Sequence, residues 1–197
     1  MSSEYSQEKQ TQFDQRGSFS PDYPCGERFR EATLSGLRLD EKGILRIFEW
    51  YKKGKDFLVY IGNKGCGKTW FCQAIFSFMK TSHPSLSRRY WNERDLFDRI
   101  RSDAATYYSR QAVQSLVDDH FLILDDVGSN YMMKGNEETF FDIIDKRYSS
   151  RLPTIITTNL DEEAFNLAYG ERTTSRVFSD ENEIIIVKGH DFRRRKE

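Results

Sequence analysis

The sequence predicts an α/β fold in which helices cover both faces of a parallel five-stranded sheet. Two observations support this fold class. Short apolar runs of the kind that form buried strands alternate with segments of helical length along most of the chain. The first such run is followed at once by a glycine-rich loop and then by a helical segment. This alternation favours parallel strands joined by helices.

The N-terminal half contains two predicted helices and two predicted strands. Glu41–Lys52 places apolar residues at near-helical spacing and predicts a helix. Phe57–Ile61 is a short apolar run that predicts a buried strand, and Thr69–Met79 has the length and apolar spacing of a helix. The turn residues of Ser82–Ser85 end that helix. Arg88–Asn92 predicts the second strand.

The C-terminal half continues the alternation. The segment from Glu93 to about Ser109 predicts a helix with Leu96, Phe97 and Ile100 on one face. After it we predict an apolar strand at Phe121–Leu124, a helix at Glu137–Tyr148 and a strand that begins with a proline at Pro153–Thr158. Two short helices, Asp161–Leu167 and Arg172–Phe178, and a last strand, Ile184–Val187, complete the prediction.

The composition is that of one domain with a sizeable core. The 197 residues are 38% hydrophobic and 14% aromatic, which is sufficient for a packed interior. Residues 1–20 are rich in Ser and Gln and poor in aliphatic residues, so we predict a flexible N-terminal segment. Residues 21–197 are predicted to form the folded domain, and the lead-in from Glu27 to Leu39 is predicted to pack on its core.

The chain lacks the patterns that direct a protein into or across a membrane. No run approaches the ~18 apolar residues of a membrane span, and Met1–Tyr5 does not begin the basic-then-apolar pattern of a signal peptide. The three cysteines, Cys25, Cys66 and Cys72, show no metal-ligand spacing, and their odd number favours a reducing compartment. We therefore expect a cytoplasmic protein without a membrane partner.

The charge balance restricts nucleic-acid binding to local segments. The formal net charge is −1, which does not indicate nucleic-acid binding by the chain as a whole. Arg99–Arg110 interleaves basic and aromatic residues, a composition that can follow a backbone and stack bases, although its tyrosines also suit a core. Arg193–Lys196 is a basic run that suits either phosphate contact or a solvated tail.

A phosphate-binding motif follows the first predicted strand. It fits the pattern G-x-x-x-x-G-K-[ST] and consists of Gly62, Asn63, Lys64, Gly65, Cys66, Gly67, Lys68 and Thr69. Between a strand and a helix, such a loop turns backbone N–H groups toward a phosphate chain. We expect Lys68 to reach the β- and γ-phosphates of ATP and the Thr69 hydroxyl to bind Mg²⁺.

Two carboxylates follow the third predicted strand. Asp125 and Asp126 come directly after four apolar residues, where unpaired carboxylates would be costly, so a cation is expected beside them. We predict that Asp125 completes the Mg²⁺ shell and that Asp126 polarises the attacking water. Without the phosphate-binding loop, an ordinary strand-end turn would explain this pair equally well.

Further candidates come from the last third of the chain. Asn159 follows the fourth predicted strand, where it could hold the water or contact the γ-phosphate; the alternative is an Asn-led turn. Arg172 and Arg176 are four residues apart and share one helix face. An arginine from a neighbouring subunit can stabilise the charge that develops on the γ-phosphate. The alternative is a surface pair that bridges to Glu171 or Asp180.

Together these motifs resemble the AAA+ ATPases, and within them the bacterial helicase loaders of the DnaC type and the transposition ATPase IstB. The resemblance runs from about Glu27 to Arg194. Besides the phosphate-binding loop, its most specific parts are Leu124–Gly128, Arg147–Tyr148, Leu152–Leu160, Gly170–Arg172, Ser175–Val177 and Lys188–Arg193.

The resemblance implies specific roles and partners. It implies a ring or spiral oligomer with ATP sites between subunits, in which Asn159 senses the nucleotide. Arg176 is then the arginine supplied in trans, with Arg172 as the second candidate. Single-stranded DNA in the central channel and a hexameric replicative helicase are the implied partners.

The chain also departs from the family pattern. Loaders grip the helicase with an N-terminal domain, whereas about 25 polar residues precede the core here, too few for a packed domain. Asp126 stands where many AAA+ members have glutamate, and its shorter side chain is expected to make hydrolysis slow. A C-terminal helical lid is expected to be absent, as it is in the loaders.

These inferences favour an ATPase that loads a replicative helicase onto single-stranded DNA. Two alternatives remain open. One is an IstB-like transposition helper that remodels target DNA, and the other is a nucleotide-gated adaptor with little turnover. The arginine-bearing segment after Asn159 and the missing kinase lid argue against a small-molecule kinase.

Overall fold

The chain forms a five-stranded sheet whose neighbouring strands are all parallel. The computed structural model describes residues 24–37, 39, 41–53, 56–102, 114, 116–129, 137–187 and 191. The strands are β1 (Phe57–Gly62), β2 (Arg88–Asn92), β3 (Phe121–Val127), β4 (Thr154–Thr158) and β5 (Glu183–Val187). Their order across the sheet is β2-β3-β4-β1-β5, which confirms the predicted fold class.

In the part of the chain that the structure describes, five helices connect and flank these strands. They are α1 (Glu41–Lys53), α2 (Lys68–Ser82), α3 (Glu93–Ser102), α4 (Glu137–Ser149) and α5 (Glu162–Val177). Helix α5 is interrupted at Gly170, whose φ of 79° is not helical. The two short helices predicted for this region therefore meet at a glycine kink. The predicted extension of α3 to Ser109 lies outside the described residues.

The helices cover both faces of the sheet because the strand residues alternate between two core clusters. Phe57 and Val59 point to a cluster that α3, α4 and α5 cover, whereas Leu58 and Tyr60 point to a cluster under α1 and α2. Successive residues of a strand point to opposite faces of the sheet. Each face of the sheet therefore has its own apolar interior, and burial of the two interiors stabilises the three-layer arrangement.

The segment before α1 packs on the second of these clusters. It contains two short 3₁₀ turns, Glu27–Phe29 and Leu34–Gly36, and the side chains that pack there include Phe29, Leu34, Leu37 and Leu39. This confirms the predicted packing of the lead-in. On α1, by contrast, Leu45 and Phe48 stay exposed, while Ile47 and Trp50 are buried. No helix among the described residues has the length and apolarity needed to cross a membrane.

Several predicted segments lie outside the described residues. They include the N-terminal 1–20, most of Arg99–Arg110 and the basic run Arg193–Lys196. The boundary between a flexible segment and the folded domain therefore stays a prediction, as does each proposed DNA-contacting segment.

The third strand is longer than its apolar run. The sequence predicted an end at Leu124, but β3 continues to Val127 and includes both aspartates. Leu124 pairs with Ile156 and Val127 pairs with Thr158, so two residues of β3 stand opposite one of β4. This is the count of a β-bulge. The carboxylates are therefore held by the sheet and do not belong to a turn beyond it.

Candidate nucleotide-binding site

The predicted phosphate-binding loop connects β1 to α2 at the carboxyl edge of the sheet. Gly62 ends β1, and Gly65 and Gly67 have φ angles of 81° and 100°. These are left-handed conformations that cost a residue with a side chain far more than glycine. Gly67 caps α2 without a side-chain hydrogen bond. The first N–H groups of α2 are therefore available to an anion, as the motif requires.

Lys68 lies inside this loop. Its side chain is buried, and Nζ donates hydrogen bonds to the carbonyl oxygens of Gly62 at 2.8 Å and Asn63 at 3.2 Å. These two carbonyls hold the end of the Lys68 side chain at the start of the loop. To contact a bound phosphate, Lys68 has to exchange these carbonyls for phosphate oxygens.

Asp125 is a buried carboxylate that accepts four hydrogen bonds. The hydroxyls of Thr69 and Tyr90 each donate to Oδ2 at 2.9 Å, and Thr157 Oγ1 and Cys72 Sγ donate to Oδ1. Hydrogen bonding of this kind compensates for the burial of the charge. It also joins α2, β2 and β4 to the end of β3.

The charge of Asp125 contributes to raised pKa values of two neighbouring groups. Burial raises the pKa of the Cys72 thiol well above its ordinary value, and the charge of Asp125 raises it further. The pKa of the Tyr90 hydroxyl is raised by the same two causes in the same order. Both groups therefore remain protonated, so they can donate to Asp125.

Asp126 lies on the bulge and points away from the buried face. Its φ of 58° is left-handed, a conformation that Asp tolerates better than most residues. Its N–H donates to Thr157 Oγ1 at 3.0 Å, and Ser129 N donates to its carbonyl oxygen at 3.2 Å. The bulge therefore directs two adjacent carboxylates to different surroundings: Asp125 to the interior, and Asp126 to the open cleft.

The donor set at this edge fits Mg²⁺. The Thr69 hydroxyl and the Asp125 carboxylate are hard oxygen donors, and Oγ1 lies 2.9 Å from Oδ2. Mg²⁺ is held in proteins by one or two such oxygens, with phosphates and water as its other ligands. Among the described residues, no group of three or more His, Cys, Asp or Glu residues is suited to hold a metal by itself.

Asn159 follows β4 beside the bulge. Its Oδ1 is buried and has no hydrogen-bond partner among the described residues. Neighbouring contacts tie the two strand ends together, because Thr158 Oγ1 donates to the carbonyl oxygen of Val127 at 2.7 Å. A buried amide oxygen without a donor is costly, so this atom is suited to accept a hydrogen bond from a bound water or ligand.

A cleft of about 620 Å³ opens over the loop. The side of the cleft next to the loop is formed by Lys64 to Thr69 together with Asp126 and Ser129. Its other side is formed by residues that the sequence interpretation did not assign to the site: Arg28, Phe29, Gly36, Leu37, Tyr60 and Trp70. The only sequence signal for this side was the predicted packing of the lead-in, which carries the first four of these residues. The indole Nε1 of Trp70 is buried without a partner among the described residues.

The two arginines of α5 lie on one face, as predicted, and both stack on Phe141 of α4. The guanidinium carbons of Arg172 and Arg176 are 4.0 and 4.9 Å from the centre of its ring. Arg176 Nε also donates to Asp145 Oδ1. The suggested bridge to Glu171 or Asp180 is therefore wrong for Arg176. Asp145 lies one helical turn beyond Phe141 on the helix that packs against α5.

Comparisons with known proteins identify the fold. Residues 36–197 match the family described as "IstB-like ATP binding protein". No curated protein is significantly similar in sequence. The structure is similar to that of the DnaC helicase loader, with a TM-score of 0.72 and 22% identity over 83% of this chain and 100% of the other.

Two further solved structures have the same architecture. DnaI has a TM-score of 0.65 and 20% identity, over 83% of this chain and 92% of the other. The replication initiator DnaA bound to AMPPCP and single-stranded DNA has a TM-score of 0.69 and 18% identity over 88% of this chain. Since that match covers 52% of the DnaA chain, this chain spans about half of it. At these identities the likeness concerns the fold alone.

Proposed function

The chain belongs to the family of IstB-like ATP-binding proteins, and from this premise we propose that it is an ATP-hydrolysing protein of DNA replication. It would load a replicative helicase onto single-stranded DNA, with ATP sites shared between subunits. The observation that carries the proposal is the arrangement at the carboxyl edge of the sheet. There the glycine loop, Thr69 and the half-buried Asp126 border one cleft, and the Thr69 hydroxyl donates to the buried carboxylate of Asp125 behind it.

ATP is proposed to bind with its phosphates on the loop. The free N–H groups at the start of α2 would receive the β-phosphate, while Lys68 leaves the carbonyls of Gly62 and Asn63 for phosphate oxygens. Mg²⁺ held by Thr69 and Asp125 would neutralise charge on the β- and γ-phosphates. The base and ribose would occupy the side of the cleft that the lead-in and Trp70 form.

Hydrolysis is proposed to use Asp126 and Asn159. Asp126 lines the cleft and would accept a proton from the attacking water. The buried Oδ1 of Asn159, which has no partner among the described residues, would hold that water in line with the γ-phosphate. Because the side chain of Asp126 is shorter than that of glutamate, hydrolysis is proposed to be slow.

The arginines are proposed to act in trans. Arg176, and Arg172 as the second candidate, would contact the γ-phosphate of a neighbouring subunit and stabilise its developing charge, an effect of roughly 10³ to 10⁵ in rate. The packing of both guanidinium groups on Phe141 supports an ordered pair at the surface. The proposal requires self-association into a ring or spiral.

The proposed partners rest on the solved structures with this fold. One is the structure of a helicase loader, and another is that of an initiator bound to single-stranded DNA. A transposition helper is the second candidate, and the family match favours it because that family is described as IstB-like. Stronger binding to duplex than to single-stranded DNA would support the helper.

Steady-state ATP hydrolysis by the wild type and by Arg176→Ala tests the proposal. The assay is run with and without single-stranded DNA over a range of protein concentrations. We expect wild-type activity that rises more than linearly with concentration, responds to DNA and depends on Arg176. Tight ATP binding without turnover, and without an effect of DNA, would instead identify a nucleotide-gated adaptor.

A second experiment tests whether ATP binding drives assembly. Lys68→Ala removes the ammonium group of the loop and should abolish both ATP binding and nucleotide-dependent oligomerisation. Lys52→Ala, at the exposed end of α1, is the control because it also removes one positive charge. Oligomerisation that is the same in Lys68→Ala and wild type, with and without ATP, would refute the coupling of ATP binding to assembly.

A further inference from the structure

A second buried carboxylate, Glu93, lies behind the site and has no part in the chemistry proposed above. Glu93 is the first residue of α3, directly after β2, and its side chain is 3% exposed. Burial of a carboxylate is unfavourable unless its oxygens accept hydrogen bonds. Its described hydrogen-bond donors include two groups that are far apart in the sequence: the N–H of Gly128 and the hydroxyl of Tyr169.

The first bond holds the turn that follows the catalytic carboxylate. Gly128 N donates to Glu93 Oε2 at 3.1 Å. Gly128 lies two residues after Asp126, has a φ of 88° and packs so closely on Leu160 that a Cβ would lie 2.4 Å from its Cδ1. The same turn is closed by the bond from Ser129 N to the carbonyl oxygen of Asp126. The carboxylate of Glu93 therefore helps to set where Asp126 points.

The second bond holds the kink in α5. Tyr169 directly precedes Gly170, where the helix is interrupted, and its hydroxyl donates to Glu93 Oε1. The centre of its ring lies 4.7 Å from the ring centre of Phe140 and 4.6 Å from that of Phe165. Arg172 and Arg176 lie on the part of α5 that follows the kink. The direction of that part, and of both arginines, is therefore anchored at Tyr169.

From this geometry we infer that Glu93 is a positioning residue that joins the Asp126 turn to the arginine-bearing half of α5. The inference rests on the proposed ATPase function. In an assembly with shared sites, Asp126 serves its own subunit's ATP and the arginines serve the neighbour's. A single buried carboxylate would then set the geometry of two successive sites, and a shift of the Asp126 turn would be transmitted to the arginines of the same subunit.

Conservative substitutions test the positioning role. Tyr169→Phe removes one hydroxyl, and Glu93→Gln keeps the side-chain size. Each should lower kcat about 10-fold and leave the affinity for ATP within about 2-fold, because the loop itself is untouched. Tyr148→Phe removes a hydroxyl on the same side of the sheet, where it contacts Ser179, and should leave kcat unchanged. An unchanged kcat in Tyr169→Phe, with a thermal midpoint equal to that of wild type, refutes the inference.

Mixed assemblies separate positioning from a structural role. An Asp126→Asn subunit contributes only its arginines, and a subunit with Arg172→Ala and Arg176→Ala contributes only its own site. Mixing the two should restore hydrolysis. Adding Tyr169→Phe to either partner should reduce that restored activity about 10-fold. If Tyr169→Phe reduces the restored hydrolysis in only one of the two mixtures, or in neither, the inference is wrong. Absence of hydrolysis in the wild type, or of restoration in the parent mixture, would count against the proposed function instead.

Discussion

Arg176 is ion-paired with Asp145 of its own subunit, and the two side chains are 28% and 35% exposed. The guanidinium also donates from one terminal nitrogen to the carbonyl oxygen of Arg172 at 2.9 Å and lies over Phe141. Three contacts therefore hold one orientation of a long side chain. An arginine that is already ordered loses less conformational entropy when it contacts an anionic ligand.

Removal of Asp145 should therefore reduce hydrolysis without affecting ATP binding. We expect Asp145→Ala to lower kcat about 10-fold, because Arg176 loses its orienting partner. Steady-state kinetics and binding of a fluorescent ATP analogue measure the two effects separately. Asp142→Ala, on the exposed face of the same helix, is the control. A higher kcat in Asp145→Ala would mean that the ion pair sequesters Arg176.

Asp126 should be required for hydrolysis but not for ATP binding. We expect Asp126→Asn to lower kcat by about 10² or more, since an amide cannot accept the proton of the attacking water. Asn tolerates left-handed backbone as Asp does, so the bulge should persist. Single-turnover hydrolysis and equilibrium binding check this, with Asp95→Asn on the exposed face of α3 as the control. Full activity in Asp126→Asn would remove the carboxylate from the mechanism.

Two glycines with positive φ allow backbone strain to be separated from ligand contact. Gly67 and Gly170 have φ of 100° and 79°, and a Cβ added at either would meet no heavy atom of the described residues within 4 Å, apart from its chain neighbours and the backbone of its own helix. Alanine at either should therefore destabilise the fold by about 1–2 kcal/mol through strain alone. Gly67→Ala should also weaken ATP binding, whereas Gly170→Ala should not. Chemical denaturation and ATP titration measure these two effects.

Gly65 combines strain with a close neighbour. Its φ is 81°, and a Cβ would lie 1.8 Å from Oδ1 and 3.0 Å from Cα of Asp191. Gly65→Ala should therefore destabilise the protein more than Gly67→Ala, because the chain at Asp191 has to move. Equal free energies of unfolding for these two variants would contradict the contact with Asp191.

The stability of the protein should fall in alkaline solution. Burial raises the pKa of Cys72 and Tyr90 above their ordinary values of 9.0 and 10.0. Their contribution to stability is present below the unfolded-state pKa and is lost as the pH rises through the folded-state pKa. We expect the free energy of unfolding to decrease above about pH 9.

Cys72→Ala tests the contribution of the thiol. The variant should lose less stability than wild type between about pH 8 and pH 11, because one buried ionisable group is gone. Ile75→Val on the same helix controls for lost buried volume. Identical pH dependence in wild type and Cys72→Ala would show that the thiol has no part in it.

Much of the fold could be predicted from local patterns. Apolar runs marked most of the strands, since a strand buried on both faces needs no polar position. The loop from Gly62 to Thr69 was recognisable because close approach of a phosphate demands small residues at fixed spacing. Gly170 separated the two predicted helices of the arginine-bearing segment, and the structure confirms that break.

The site could be predicted only in part. The bulge at Asp125 and Asp126 has no local signature, because it depends on how β3 pairs with β4. The contribution of Arg28 and Trp70 to one cleft was not predictable either, because these residues are distant in sequence and meet only when the lead-in packs on α2.

The amino-acid sequence by itself determined the order of strands and helices and the chemistry of the phosphate-binding loop, because periodicity and glycine spacing act within a few residues. Tertiary structure alone decided which partners the charged side chains have. Glu93 bonds to a residue 76 positions away and Arg176 to one 31 positions away. Such pairs form only where separate elements pack and exclude water, so side-chain partners depend on the whole sheet and the helices on both its faces.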